Sequence, residues 1–138
     1  MISSAIPHNV ELGMEVVEVG DGMALMAVPY ADKLVGDPHT GVVHGGVLTA
    51  LLDACSGTAV MLHPKAQGGT ATIDLRIDYM RPAKPGEKIF ARATCFRITR
   101  NVAFVRGTAF DVSEEEPVAI STGTFTVEPR GTRFGDTK

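Results

Sequence analysis

An excess of charge of either sign is missing from this chain. Thirteen Lys and Arg against sixteen Asp and Glu leave a formal net charge of −3 over 138 residues. Nucleic-acid-binding domains normally carry a basic footprint. The scarce aromatics (6%, with no Trp) are scattered rather than set in a basic stripe, so nucleic acid is excluded as a partner. Cysteine is nearly absent too. Cys55 and Cys95 are the only two, neither at metal-ligand spacing, and both are expected to be buried free thiols of a reducing compartment. No pair of histidines has metal-ligand spacing either, so no metal is expected. The opening MISSAIPHNVELG lacks a basic start followed by an apolar run, so no secretory leader is expected. The one long apolar stretch contains Gly, Thr, Ser and Asp and falls short of a membrane span. The expectation is a soluble, cytoplasmic protein that makes no use of a membrane. It should be a single domain over residues 1–138 with its core at about 10–127, long enough to bury that core without staples.

That apolar stretch is His44–His63, HGGVLTALLDACSGTAVMLH. From Val47 to Leu62 only Gly57 interrupts good helix chemistry, and the length exceeds that of an ordinary strand. Apolar residues fall nearly all round it, which predicts a buried helix, and Pro64 closes it. Of its polar side chains only Asp53 is normally ionised at neutral pH. A carboxylate in so apolar a setting is costly to bury unless something pairs with it.

Strand and turn signals fill the rest. Residues 1–9 read as a lead-in, where Pro7 discourages a long helix. Val10–Val19 and Met23–Pro29 read as strands joined at Gly20-Asp21-Gly22, a hairpin signal. Tyr30–Val43 reads as a loop. Thr70–Met80 alternates, with Ala71, Ile73, Leu75, Ile77 and Tyr79 on one face and Thr72, Asp74, Arg76 and Asp78 on the other. Arg81–Glu87 reads as a turn. Lys88–Ile98 and Val102–Val112 form a second hairpin through Thr99-Arg100-Asn101, and Pro117–Val127 is the last strand. The polar tail Glu128–Lys138 is expected to fray. The layout is α+β, with one long central helix wrapped by a curved antiparallel sheet of about six strands, the last four in a meander.

Two pieces of the central segment carry chemistry. A helix N-terminus exposes unpaired N–H groups and partial positive charge, which bind oxyanions and polarise carbonyls; Gly45 and Gly46 let a ligand approach that backbone. Asp53 supplies a carboxylate able to act as base or nucleophile in acyl transfer. Eight residues of helix separate Gly45 from Asp53, roughly 12 Å, so one carbonyl cannot touch both. A two-fold dimer removes the difficulty by bringing one helix N-terminus to its partner's Asp53. Each residue also has a plainer role: Asp53 as an interface pair, the glycines for close packing, His44 as a ring that fixes the loop, Thr72 as a good strand residue.

The motif His44-Gly45-Gly46-x6-Asp53, the approach Gly41-Val42-Val43-His44-Gly45-Gly46, and the strand Asp74-Leu75-Arg76-Ile77-Asp78-Tyr79-Met80-Arg81-Pro82-Ala83 together resemble one family. It is the hotdog-fold acyl-CoA thioesterases of the phenylacetate-degradation (PaaI-like) type. The resemblance implies a hotdog fold whose units share a continuous sheet in a homodimer, with dimers pairing into a homotetramer. It implies hydrolysis of an acyl-CoA to free acid and CoA without a cofactor, coenzyme A entering as part of the substrate. The site residues it implies are Gly45, whose N–H polarises the thioester carbonyl, and Asp53 of the other subunit, which activates water or attacks directly. Thr72 would support the water or the carboxylate, and His44 stands at the head of the motif. Relatives often carry Asn or Gln six residues before the His; here Pro38 stands there, with Asp37, His39 and Thr40 the nearest polar residues. Arg100, Arg106, Arg130 and Arg133 could meet CoA phosphates or form surface ion pairs equally well. Two other readings compete. A non-catalytic acyl-thioester-binding module would keep the fold but need no Asp53. A hydroxyacyl-thioester dehydratase pairs a catalytic His with an acid at other spacings, a pattern absent here.

Overall fold

The computed structural model describes residues 6–66 and 68–128. In chain order the elements are α1 (Pro7–Leu12), β1 (Glu15–Gly20), β2 (Met23–Val28), a 3-10 turn (Asp32–Leu34), β3 (Val35–Asp37), β4 (Val42–Val43), α2 (Gly45–Met61), β5 (Thr72–Tyr79), β6 (Ile89–Ile98), β7 (Val102–Phe110) and β8 (Ala119–Thr126). Six strands form one antiparallel sheet in the order β1-β2-β6-β7-β8-β5, and β3 and β4 form a small separate ladder. One long helix against a curved six-stranded antiparallel sheet is the hotdog architecture expected of the sequence.

Small residues on the sheet set how closely α2 lies against it. Ala24, Ala91, Ala93, Ala103, Ala109 and Ala119 all face the core at 0% exposure. A carbon added at Gly107 would stand 3.1 Å from Leu52 of the helix and 2.5 Å from Ser121 Oγ. Against this floor the helix buries Leu51, Leu52, Cys55 and Ala59 completely, and each leucine contributes about 1.5–3 kcal/mol by leaving water. Bulges in β1, β5 and β6 add local twist and help the sheet curl.

The helix is not covered all round, as its composition suggests. Gly46, Thr49 and Met61 are exposed and Asp53 and Gly57 half-buried, and their spacing of three to four residues makes one continuous stripe. Glycine and methionine in that stripe disguise it as apolar.

Three further expectations need correction. The first strand begins at Glu15 rather than Val10, because Pro7–Leu12 forms a short helix closed by Gly13 at φ +76°; proline is well suited to a first helical turn, where its missing N–H is not needed. Within Tyr30–Val43, the 3-10 turn and the β3–β4 ladder give the expected loop its own structure. Only β6, β7 and β8 form a meander. β5 pairs with β8 at the sheet edge, so Arg81–Glu87 is part of a crossover past the ends of β8 and β7 rather than a tight turn. Asp111, buried at the end of β7, pins it by accepting two bonds from Arg81 (2.7 and 3.0 Å) and one from the Lys84 N–H (2.9 Å). The frayed tail expected at Glu128–Lys138 lies outside the described residues from position 129 onward. No helix among the described residues is long and apolar enough to cross a membrane.

Candidate functional site

His44 is the N-cap of α2, and its Nδ1 accepts the Gly46 N–H at 2.8 Å. Its ring therefore spends one nitrogen on the helix end, the loop-fixing role. A Cβ at Gly46 would fall 2.9 Å from that Nδ1, so Gly46 is required by the cap. Gly45 is different. Its N–H has no acceptor among the described residues, as expected of a first helical residue, and the nearest atom to a Cβ built there is Tyr79 Cε1 at 3.8 Å. The Thr49 and Tyr79 hydroxyls hydrogen-bond each other one turn further along, tying the end of β5 to the start of α2.

Two turns into the helix, half-buried Asp53 accepts a hydrogen bond from Thr72 Oγ1 at 2.7 Å on Oδ1. Simple alternation puts Thr72 on the face away from Leu75, and the structure reverses this. Thr72 pairs with inward-facing Phe125, the register then slips, and Asp74 pairs with Thr124. Residues directly opposite in a ladder share a face, so the bulge turns Thr72 toward the helix and leaves Ile73 57% exposed. Asp53 and Thr72 open onto a cleft of about 170 Å³ whose other walls include Ile6, Ala54, Met61 and Phe125. Gly45 and Asp53 belong to one unbroken helix, so they stay roughly 12 Å apart. Within one chain the structure brings Asp53 to Thr72 and His44 to Gly46, but not Gly45 to Asp53.

Around Pro38 the exposed Asp37 and Thr40 side chains bond each other within their own loop, and His39 takes part through its backbone N–H. Asp37 accepts the His39 N–H and the Thr40 hydroxyl, both at 2.9 Å, and these bonds hold its carboxyl below the usual carboxylate range. Of the four arginines, Arg106 lies 3.9 Å over the Phe96 ring, and Arg130 and Arg133 lie outside the described residues. Both cysteines are free and buried; burial pushes the Cys55 thiol up to about 12 and raises Cys95 as well. The Arg81–Asp111 clamp escaped sequence reading, because its partners are 30 residues apart and nothing local links them.

A family model described as the thioesterase superfamily matches residues 40–118, a span that takes in His44, Gly45, Asp53 and Thr72. The chain belongs to the thioesterase superfamily. It is a thioester hydrolase of hotdog fold, in keeping with the resemblance carried by its HGG-x6-Asp motif. The medium/long-chain acyl-CoA thioesterase YigI of Escherichia coli is 30% identical over 134 residues, covering 88% of this chain and 84% of that protein. A Pseudomonas aeruginosa protein of solved structure is 37% identical with a TM-score of 0.80, over 91% of this thioesterase and 93% of that chain. A point mutant of the phenylacetic acid degradation protein PaaI from Thermus thermophilus is 29% identical with a TM-score of 0.76, over 89% and 100%.

Proposed function

We propose that this thioesterase hydrolyses acyl-CoA thioesters at active sites shared between the two subunits of a homodimer. The observation that carries the reading is the division of labour along α2: a Gly45 N–H with no partner among the described residues at its start and a Thr72-tethered Asp53 roughly 12 Å on. In this mechanism Gly45 of one subunit donates to the thioester oxygen as it gains charge. Asp53 of the other takes a proton from water through Oδ2, since Thr72 occupies Oδ1. The water oxygen bonds to the acyl carbon, the carbon–sulfur bond breaks with its electrons on sulfur, and the proton passes to the departing thiolate. His44 holds the donor in place through its cap on Gly46.

The sheet edge supports the pairing. β5 is an outermost strand, and Ile73 and Tyr79 on it, with Met80 beside it, are each more than half exposed. An open apolar edge strand is a template for a second copy. Antiparallel pairing of β5 with itself sets the Tyr79 end, beside Gly45, against the partner's Thr72 end, beside Asp53. On the sheet's outer face, Phe96 and Ile120 are exposed, a surface suited to joining dimers into a tetramer. YigI, named for acyl-CoA substrates, supports coenzyme A as the carrier, entering as part of the substrate with no separate cofactor. Two free thiols suit a reducing cytoplasm.

The test is thiol release from a panel of acyl-CoAs, followed with a thiol-reactive dye, for wild type and Asp53→Asn. Asn keeps an oxygen for Thr72 but cannot take the proton, so the variant should fold normally and lose roughly 10²–10⁴-fold in kcat. Near-wild-type turnover by Asp53→Asn on the best substrate would remove Asp53 from the mechanism.

A further inference from the structure

The cleft beside Asp53 and Thr72 holds three more polar side chains. Thr58 and Thr70 donate their hydroxyls to the carbonyls of Ala54 and Thr126, and the third is Asn9. Asn9, from α1, is 5% exposed and lines that cleft with Asp53 and Thr72. Its Nδ2 is buried without a hydrogen-bond partner among the described residues. A buried amide donor left unpaired costs stability, and its persistence calls for an explanation. The fold does not supply one. Closure of α1 uses the Asn9 backbone carbonyl, which accepts the N–H of Gly13 and Met14, and gives Nδ2 no partner among the described residues.

We propose that Asn9 holds the hydrolytic water against Asp53. The proposal rests on Asp53 acting as the base. An ordered water in a buried site needs two to four polar partners and enough room. The cleft is about 170 Å³ and offers Asn9 Nδ2 as a donor to the water oxygen. Asp53 Oδ2, without a partner among the described residues, accepts one of the water's protons. Thr72 fixes the carboxylate by its bond to Oδ1; of the other walls, Ile6, Ala54, Met61 and Phe125 are apolar, and the Thr58 and Thr70 hydroxyls donate to backbone carbonyls. With one lone pair taken by Asn9 and one proton directed at Asp53, the second lone pair is left to attack the acyl carbon.

Asn9→Ala and the similarly sized Asn9→Leu test this in the full-length protein, by steady-state thiol release and thermal unfolding. Loss of one such hydrogen bond should lower kcat about tenfold with KM unchanged within about twofold. Because the Nδ2 donor has no protein partner among the described residues, Tm should stay level or rise in at least one variant. Combined with Asp53→Asn, Asn9→Leu should slow the enzyme no further, since the two residues act on one water. Wild-type kcat in Asn9→Leu, multiplied losses in the double variant, or unfolding of both single variants would each overturn the proposal while leaving the Asp53 reading standing. A wild type that releases no thiol from any acyl-CoA removes that reading and this one with it.

Discussion

Proline at position 45 would delete one hydrogen-bond donor and leave the fold almost untouched. Gly45 opens α2, where an N–H makes no helical bond and proline is favoured. The residue before a proline must be extended, and His44 already sits at φ −58°, ψ 136°. Gly45 does not use a positive φ, and a Cβ there meets only Tyr79 Cε1, at 3.8 Å. Stability should therefore hold or rise by about 0.4–1 kcal/mol, as the unfolded chain loses freedom. Catalysis should lose the share of one oxyanion donor, about 3–4 kcal/mol, or roughly 10²–10³ in kcat. Thiol release measures the loss, and mixing adds the decisive arm. Gly45→Pro and Asp53→Asn chains, exchanged in equal amounts, place both lesions in one site of each mixed dimer and leave the other site intact. Mixed dimers form about half the population, so activity should return to about one quarter of wild type. Sites contained within single chains would give no recovery. A Gly45→Pro enzyme with near-wild-type turnover, or an exchanged mixture no faster than its parents, refutes the reasoning.

Two other outcomes follow from the buried groups. Arg81 holds the Asp111 carboxyl well below the usual carboxylate range, so the stability this pair contributes is fully present above about pH 4 and is lost as pH falls further. Asp111→Asn should be destabilised by about 3 kcal/mol in denaturant melts at pH 7, with the gap to wild type constant down to about pH 4 and narrowing below it; an unchanged midpoint at pH 7 would refute the clamp. Cys55, pushed up to about 12 by burial, should not react with a thiol dye at pH 8 until the protein is unfolded, and rapid labelling of Cys55 in the native protein would contradict its placement.

The parts of this fold that were readable in the sequence are those set by local pattern. A long run of helix chemistry between a His-Gly-Gly start and Pro64 could be little else, the hairpin at Gly20-Asp21-Gly22 carries its own turn signal, and the link Thr99-Arg100-Asn101 is short enough to require one. Asp53 stood out because charge in an apolar run needs a reason. What stayed hidden depends on contacts between distant residues. The bulge at Ile73 has no signature in an otherwise regular alternation, yet it decides whether Thr72 faces Asp53 or solvent; only the resemblance pointed to that threonine. Asn9 sat in what read as a lead-in before a strand, and only the packing of α1 beside α2 gives it a place in the cleft. The route of the crossover likewise depends on Asp111, which reads in sequence as one more strand-end carboxylate.

The alanine floor under α2 gives this enzyme a mechanical property. Methyl groups and the bare backbone of Gly107 bring helix and sheet close together, and a carbon added at Gly107, 3.1 Å from Leu52, would press on the helix. The helix carries both groups of the proposed mechanism, Gly45 and Asp53, and in the proposed dimer a lift would displace the two together relative to the opposite subunit. In that mechanism, residues that never meet a substrate act as shims, setting the gap into which an acyl chain must fit. A change in acyl-chain preference could begin there, with every residue of the catalytic motif left as it is.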